Sequence, residues 1–101
     1  MNTAVFSPAA ARDLKEAVRW IAGDNPTAAR ALRDATAKAA TNIGTHTHFG
    51  VSRPDLADEP YRFVMLTGFP YVIVYNAARQ PPLIIRILHG ARDLPQLLAD
   101  L

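Results

Sequence analysis

From Pro8 to Gly44 apolar residues recur every three or four positions. Ala11, Leu14, Val18 and Ile21 form one such row, the stripe of a helix. Ser7-Pro8 ahead of it is an N-cap serine followed by proline at the first helical position, and Gly23 marks its end. Asn25-Pro26 opens a second helix in the same way. Its stripe is Ala28, Ala29, Leu32, Ala35, Ala39 and Ile43, and Gly44 marks its end. That stripe is mostly alanine, so the two helix backbones can approach closely. Arg30, Asp34 and Lys38 stand four apart on its outer face, where such pairs add about 0.2–0.5 kcal/mol each. The short link from Gly23 to Asn25 predicts an antiparallel helical hairpin.

Beyond it the helical period is lost, and "THTHFGVSRPDLADEP", Thr45 to Pro60, reads as an ordered loop. Tyr61 to Leu66, Tyr71 to Tyr75 and Leu83 to Leu88 then read as strands, rich in β-branched and aromatic residues and separated by the turn "TGFP" and the loop "NAARQPP". Thr3 to Phe6 is a candidate first strand, and Leu94 to Leu101 a short turn of helix. The resulting order, β-α-α-β-β-β, predicts an α+β fold with a helical hairpin on one face of a small, mainly antiparallel sheet. Two helices cover only one face. Strict alternation on the last strand places Ile84, Arg86 and Leu88 together. An uncovered apolar sheet face, which a monomer rarely tolerates, predicts a protein partner.

Composition narrows this picture. The 101 residues predict one domain over 1–101. Half of them are apolar, enough for a single two-layer core. No cysteine is present, which excludes disulfides and thiolate metal sites and is compatible with a reducing compartment. "MNTAVFSPAA" has neither the basic nor the apolar region of a signal peptide. No apolar run approaches the roughly 18 residues of a membrane span, so a cytoplasmic location and no membrane contact are expected. Net charge is +2, from 11 basic and 9 acidic residues. That is too small for the footprint of a DNA-binding domain, and direct sequence-specific DNA binding by this chain alone is not expected. All basic residues but Lys15 and Lys38 are arginines, which suits bidentate contacts to carboxylate or phosphate.

Candidate chemistry is sparse. His46 and His48 form an H-x-H pair with His89 as a distant third ligand. No carboxylate is spaced to join them, so they read as loop histidines, and neither metal nor cofactor is expected. Ser7 reads as a cap, and Ser52 lacks a nucleophile-elbow context. No phosphate-binding or dinucleotide fingerprint occurs. Asp55, Asp58 and Glu59 read as one solvated loop. There remain Arg62, Arg86, His89 and Arg92, with Arg62 and Arg86 on strands that are candidate neighbours. Arginine can hold a phosphate and histidine can act as general acid or base near neutral pH, so RNA cleavage through the 2′-hydroxyl is conceivable chemistry. The structural alternative is preferred: Asp93 ties an arginine and fixes the tail, and His89 hydrogen-bonds the backbone where the chain turns.

Four segments, "FSPAAARDLKEAVRWIAGDNPTAARAL", "GVSRPDL", "YRFVMLTGFPYVIVYN" and "IIRILHGARDLPQLL", together resemble the RelE/ParE superfamily of bacterial toxins, and more closely its ParE-type branch. The resemblance spans nearly the whole chain in order. It implies the fold predicted above and a type II toxin–antitoxin system, often described as plasmid stabilisation, with a cognate antitoxin of ParD or RelB type whose C-terminal segment wraps the toxin. RelE-type toxins cleave messenger RNA on the ribosome, and for that chemistry Arg62, Arg86 and His89 would be the catalytic residues. The chain departs from that branch, with no lysine after Lys38 and no tyrosine after Tyr75. ParE-type toxins, several of which bind and inhibit DNA gyrase, lack the same set. The resemblance therefore implies a gyrase-binding, non-enzymatic toxin that arrests growth. Its surface for antitoxin or target is expected at Arg86, His89, Arg92, Asp93 and Leu94, with Tyr75 and Arg62. Ribosome-dependent RNA cleavage, and a non-toxic remnant that only binds its antitoxin, stand as alternatives.

Overall fold

The structure, a computed structural model, describes residues 3–101. Its elements are β1 (Val5–Phe6), α1 (Pro8–Ala22), α2 (Pro26–Thr45), β2 (Tyr61–Met65), β3 (Tyr71–Asn76), β4 (Leu83–His89) and α3 (Leu94–Leu97), the α+β order that the pattern predicts. Ser7 caps α1, its Oγ accepting from the Ala10 N–H at 3.0 Å. Asn25 caps α2 through the Ala28 N–H at 3.0 Å. Gly23 closes α1 as expected. Gly44 does not end α2, which runs one residue further to Thr45. The Thr45 hydroxyl bonds back to the Thr41 carbonyl at 2.9 Å, extending the last turn. Among the described residues no helix is long and apolar enough to cross a membrane.

The sheet order is β1-β4-β3-β2. β2–β3 and β3–β4 are antiparallel, and the two residues of β1 pair parallel with Leu83 and Ile84. β3 therefore lies between β2 and β4, so Arg62 and Arg86 are not on neighbouring strands as expected. A second correction concerns β4. Tyr75 pairs with Ile84 while Val74 pairs with Arg86, so Ile85 is the extra residue of a bulge, which interrupts alternation. Ile84 accordingly joins the core beneath the helices, and Leu88 joins the cluster on the opposite face.

Beneath the hairpin, Leu32, Ile43, Ile73, Ile84 and Tyr75 are fully buried among the alanines of both helices. Each aliphatic side chain so buried stabilises the fold by about 1.5–3 kcal/mol. The far face is not left open, contrary to the expectation from two helices. Phe63, Val72, Val74 and Leu88 are covered there by Leu56 and Ala57 of the long loop and by Leu94, Leu97 and Leu98 of the tail. Both faces of β3 are thus enclosed, which is why Val72 to Tyr75 are buried without alternation.

α1 also seals the edge of β4 that the short β1 leaves uncovered. Ser7 N–H donates to the Ile84 carbonyl at 2.8 Å, and Ser7 Oγ to the Ile85 carbonyl at 3.0 Å. Further along the helix, Asp13 Oδ2 accepts the Ile87 N–H at 2.9 Å.

Candidate functional site

Asp13, Glu16, Ala17 and Trp20 lie at i, i+3, i+4 and i+7 on α1, one face of the helix. The N-terminal part of that face rests on β4. Its C-terminal part overhangs the end of the sheet, where Tyr71 and His89 close the β3–β4 ladder as a pair. The overhang leaves a groove of ≈ 280 Å³ lined by Asp13, Glu16 and Trp20 of α1, by Tyr71, Ile87 and His89 of the sheet, and by Arg92. Trp20 is 82% exposed above it. The Tyr71 and His89 rings meet edge to face, with centroids 5.3 Å apart at 76°, a favoured aromatic geometry.

His89 holds its position through the turn. The Ala91 N–H donates to Nδ1 at 3.0 Å, so in the neutral ring the proton sits on Nε2. Arg92 N–H returns to the His89 carbonyl at 3.0 Å, and Gly90 N–H donates to the Pro70 carbonyl at 2.8 Å. This is the backbone-bonded histidine that the sequence reading preferred.

The arginines are deployed differently from one another. Arg86 makes a bidentate pair with Asp13, Nε to Oδ2 at 2.7 Å and Nη2 to Oδ1 at 3.1 Å. Donating to the Asp13 carboxylate raises the pKa of the Arg86 guanidinium above its ordinary value. Arg62, two strands away, donates from Nη1 to the Gly50 carbonyl at 2.7 Å and pairs with Glu59 at 3.3 Å. The structure does not bring Arg62 and Arg86 to one site. Arg92 is exposed and has no ion pair among the described residues.

Asp93 does not tie an arginine. Its Oδ1 accepts the Gln96 N–H at 3.5 Å as the cap of α3, and the carboxylate that fixes Arg86 is Asp13, 73 residues away in the chain. Leu94 begins α3 and packs into the far-face cluster. Tyr75 is fully buried, and its hydroxyl donates to the Thr47 carbonyl at 2.6 Å while accepting the Gly50 N–H at 2.9 Å. It straps the long loop to the sheet and does not reach the groove. His46 and His48 are exposed at and just beyond the C-cap of α2. Among the described residues no three histidine, aspartate or glutamate side chains gather as a metal would require.

Of the expected residues, then, His89 and Arg92 line one groove, Arg86 is bound to Asp13 at its edge, and Asp93 follows Arg92 in the chain. Asp13, Glu16, Trp20 and Tyr71 were not anticipated there. One signal was available. Asp13, Glu16 and Trp20 repeat at helical spacing on the side of α1 away from its aliphatic stripe, and a tryptophan on a polar helix face is unusual for a monomer. Chemically, the groove combines carboxylates, the aromatic rings of Trp20, Tyr71 and His89, and the Arg92 cation. Arg86 is neutralised by Asp13, and His89 has one ring nitrogen committed to the turn. Such an arrangement is suited to recognising a polypeptide surface with a desolvated aromatic anchor.

A family model described as the ParE toxin of type II toxin–antitoxin systems, parDE, matches residues 4–94. Among solved structures, the chain is similar to one from the chromosomal ParDE toxin–antitoxin system of P. aeruginosa, with a TM-score of 0.71 and 20% identity. The alignment covers 88% of this chain and 96% of that one, and at this identity the likeness is one of fold. No curated protein matches the chain.

Proposed function

The chain belongs to the ParE toxin family of type II toxin–antitoxin systems, and from that premise we propose that it arrests growth by binding DNA gyrase. In the same reading it acts in the cytoplasm and is held inactive by a cognate antitoxin of ParD type. The observation that supports binding over cleavage is the commitment of its strand arginines. A ribonuclease centre needs free cations around the scissile phosphate to stabilise developing charge. Here the Arg86 guanidinium is bidentate on Asp13, and Arg62 is held by Glu59 and Gly50 beyond the intervening strand. Beside His89 the groove has Arg92 as its one lining arginine. The groove instead offers Trp20, Tyr71, His89 and Arg92, a composition typical of interface anchors.

Purified gyrase supplies the test. Supercoiling should fall with increasing toxin and recover when the product of a neighbouring antitoxin gene is added. Expression alone should arrest growth and induce DNA-damage signalling. Unchanged supercoiling at excess toxin, with messenger RNA cut on ribosomes, would replace this reading by the ribonuclease one. Absence of growth arrest would leave an antitoxin-binding remnant.

A further inference from the structure

The chain's excess of positive charge sits on the helical hairpin. Residues 8–45 hold six of its 11 basic residues and four of its 9 acidic ones, and the rest of the chain holds five of each. Two of the hairpin's carboxylates are moreover turned aside. Asp13 is bound to Arg86 of β4, and Glu16 lines the Trp20 groove.

The cations left over form one patch. Arg12, Lys15 and Arg19 follow at i, i+3 and i+7 on α1, a row about 10 Å long. Arg33 of α2 lines the same cavity as Lys15, which sets a cation of the second helix beside the row. Arg30 stands three residues before it, a neighbouring position on the helix surface. All five are exposed, and none has an ion pair among the described residues. Four of them are arginines, whose planar fork fits phosphate oxygens. No apolar residue interrupts the row, so it lacks the desolvated anchor that carries most of the energy of a protein interface. Duplex DNA, by contrast, needs only cations. It carries one negative charge per about 1.7 Å of axis, or about six along the length of the row.

We propose that this cationic face of the hairpin lies against the phosphate backbone of duplex DNA without reading its sequence. The small net charge of the chain is no obstacle, because a duplex meets one face and not the whole surface. Contacts confined to phosphates position a protein and carry no sequence information. The inference deepens the gyrase reading and rests on it only for the source of the duplex. The Trp20 groove engages the enzyme, and the cation row touches the DNA that the enzyme holds. Trp20 and Glu16 lie on the opposite side of α1 from Lys15, so both surfaces can be engaged at once.

The test titrates the whole protein into two fluorescein-labelled duplexes of unrelated sequence and follows their anisotropy. Both should bind alike, and binding should weaken by about a hundredfold between roughly 50 and 200 mM salt, as three or four phosphate contacts require. Arg12→Gln combined with Arg19→Gln should weaken it by at least about tenfold. Arg79→Glu changes the net charge by the same amount at an exposed loop position outside the patch, and should weaken it by less than about threefold. Both variants should melt at the wild-type temperature. No binding at the lower salt, equal losses in the two variants, or a strong preference for one duplex overturns the proposal. So does displacement by poly-L-glutamate as readily as by unlabelled duplex, or tighter binding to single-stranded RNA. Gyrase is absent from this titration, and its capture by the toxin without DNA is read separately. Failure here therefore leaves gyrase binding standing, and failure there leaves the affinity of the cation row for DNA.

Discussion

Asp13 carries more of this fold than its position on a helix suggests. Its two oxygens accept two bonds from Arg86 and one from the Ile87 backbone, joining α1 to the strand edge that β1 leaves bare. Asp13→Ala should lower stability by about 1–3 kcal/mol, the cost of leaving partly buried donors unpaired, measurable as a lower midpoint of urea unfolding. Tyr75 works in the same way for the long loop. Burial pushes its phenol up from the ordinary value of 10.0, so the folded state holds the proton more tightly than the unfolded one. Its contribution is complete below the unfolded value and is lost as pH rises through the raised one. The melting temperature should fall through the alkaline range. Tyr75→Phe should flatten that fall while losing about 1 kcal/mol for each hydrogen bond removed. Neither residue's role was legible in the sequence, because both act across more than twenty residues of separation. Asp13 looked like one of several surface carboxylates, and Tyr75 like a residue of a binding surface.

At the scale of elements, the helices, their caps and the three long strands follow from local rules. Serine or asparagine before proline starts each long helix, and Gly23 ends the first. The long loop and the tail obey no such period, and they are what close the second face of the sheet. Gly50 is the loop's tightest point. A Cβ there would lie 2.7 Å from Tyr75 Cε1 and 2.9 Å from the Phe63 carbonyl oxygen. Since that oxygen belongs to the loop's own bridge between Val51 and Phe63, it cannot swing aside. Gly50→Ala should cost about 1–3 kcal/mol through overpacking and speed amide exchange at Val51 and Phe63. For the tail, Leu98 is buried against the far-face cluster. Leu98→Ala should cost about 2–5 kcal/mol, as other buried leucine truncations do, and expose Leu88 and Val74 to dye binding. A small loss would mean that the tail lies off the sheet.

Across the whole molecule, α1 divides the surface into two grooves of different character. One is lined by Trp20, Glu16 and Arg92, the other by Leu14, Val18, Lys15 and Arg33. Trp20 supports no core packing at 82% exposure, so Trp20→Ala should leave stability within about 0.5 kcal/mol. If the groove is an interface, the same substitution should weaken binding to gyrase by about 2 kcal/mol or more, the scale of an aromatic hot spot. A supercoiling titration with wild type and variant reads both the loss and its size. Covering the far face with the chain's own loop and tail shifts the argument for a partner. The expected open sheet face is closed, and both sides of the first helix carry a groove instead.

The sequence by itself determined the order of elements, the hairpin, the meander and the family, because each is written in spacings of a few residues or in segments that keep their order along the chain. It also placed Arg86, His89 and Arg92 near one another, since they lie within seven positions of the same strand end. Only the tertiary structure decided that β3 separates Arg62 from Arg86, that a bulge at Ile85 sends Ile84 and Leu88 to opposite faces, and that Asp13 rather than Asp93 holds Arg86. Strand order, register and the choice of ion partner depend on contacts between residues far apart in sequence. Helical and strand periods report which way a side chain points within its own element, and carry no information about which other element it will meet.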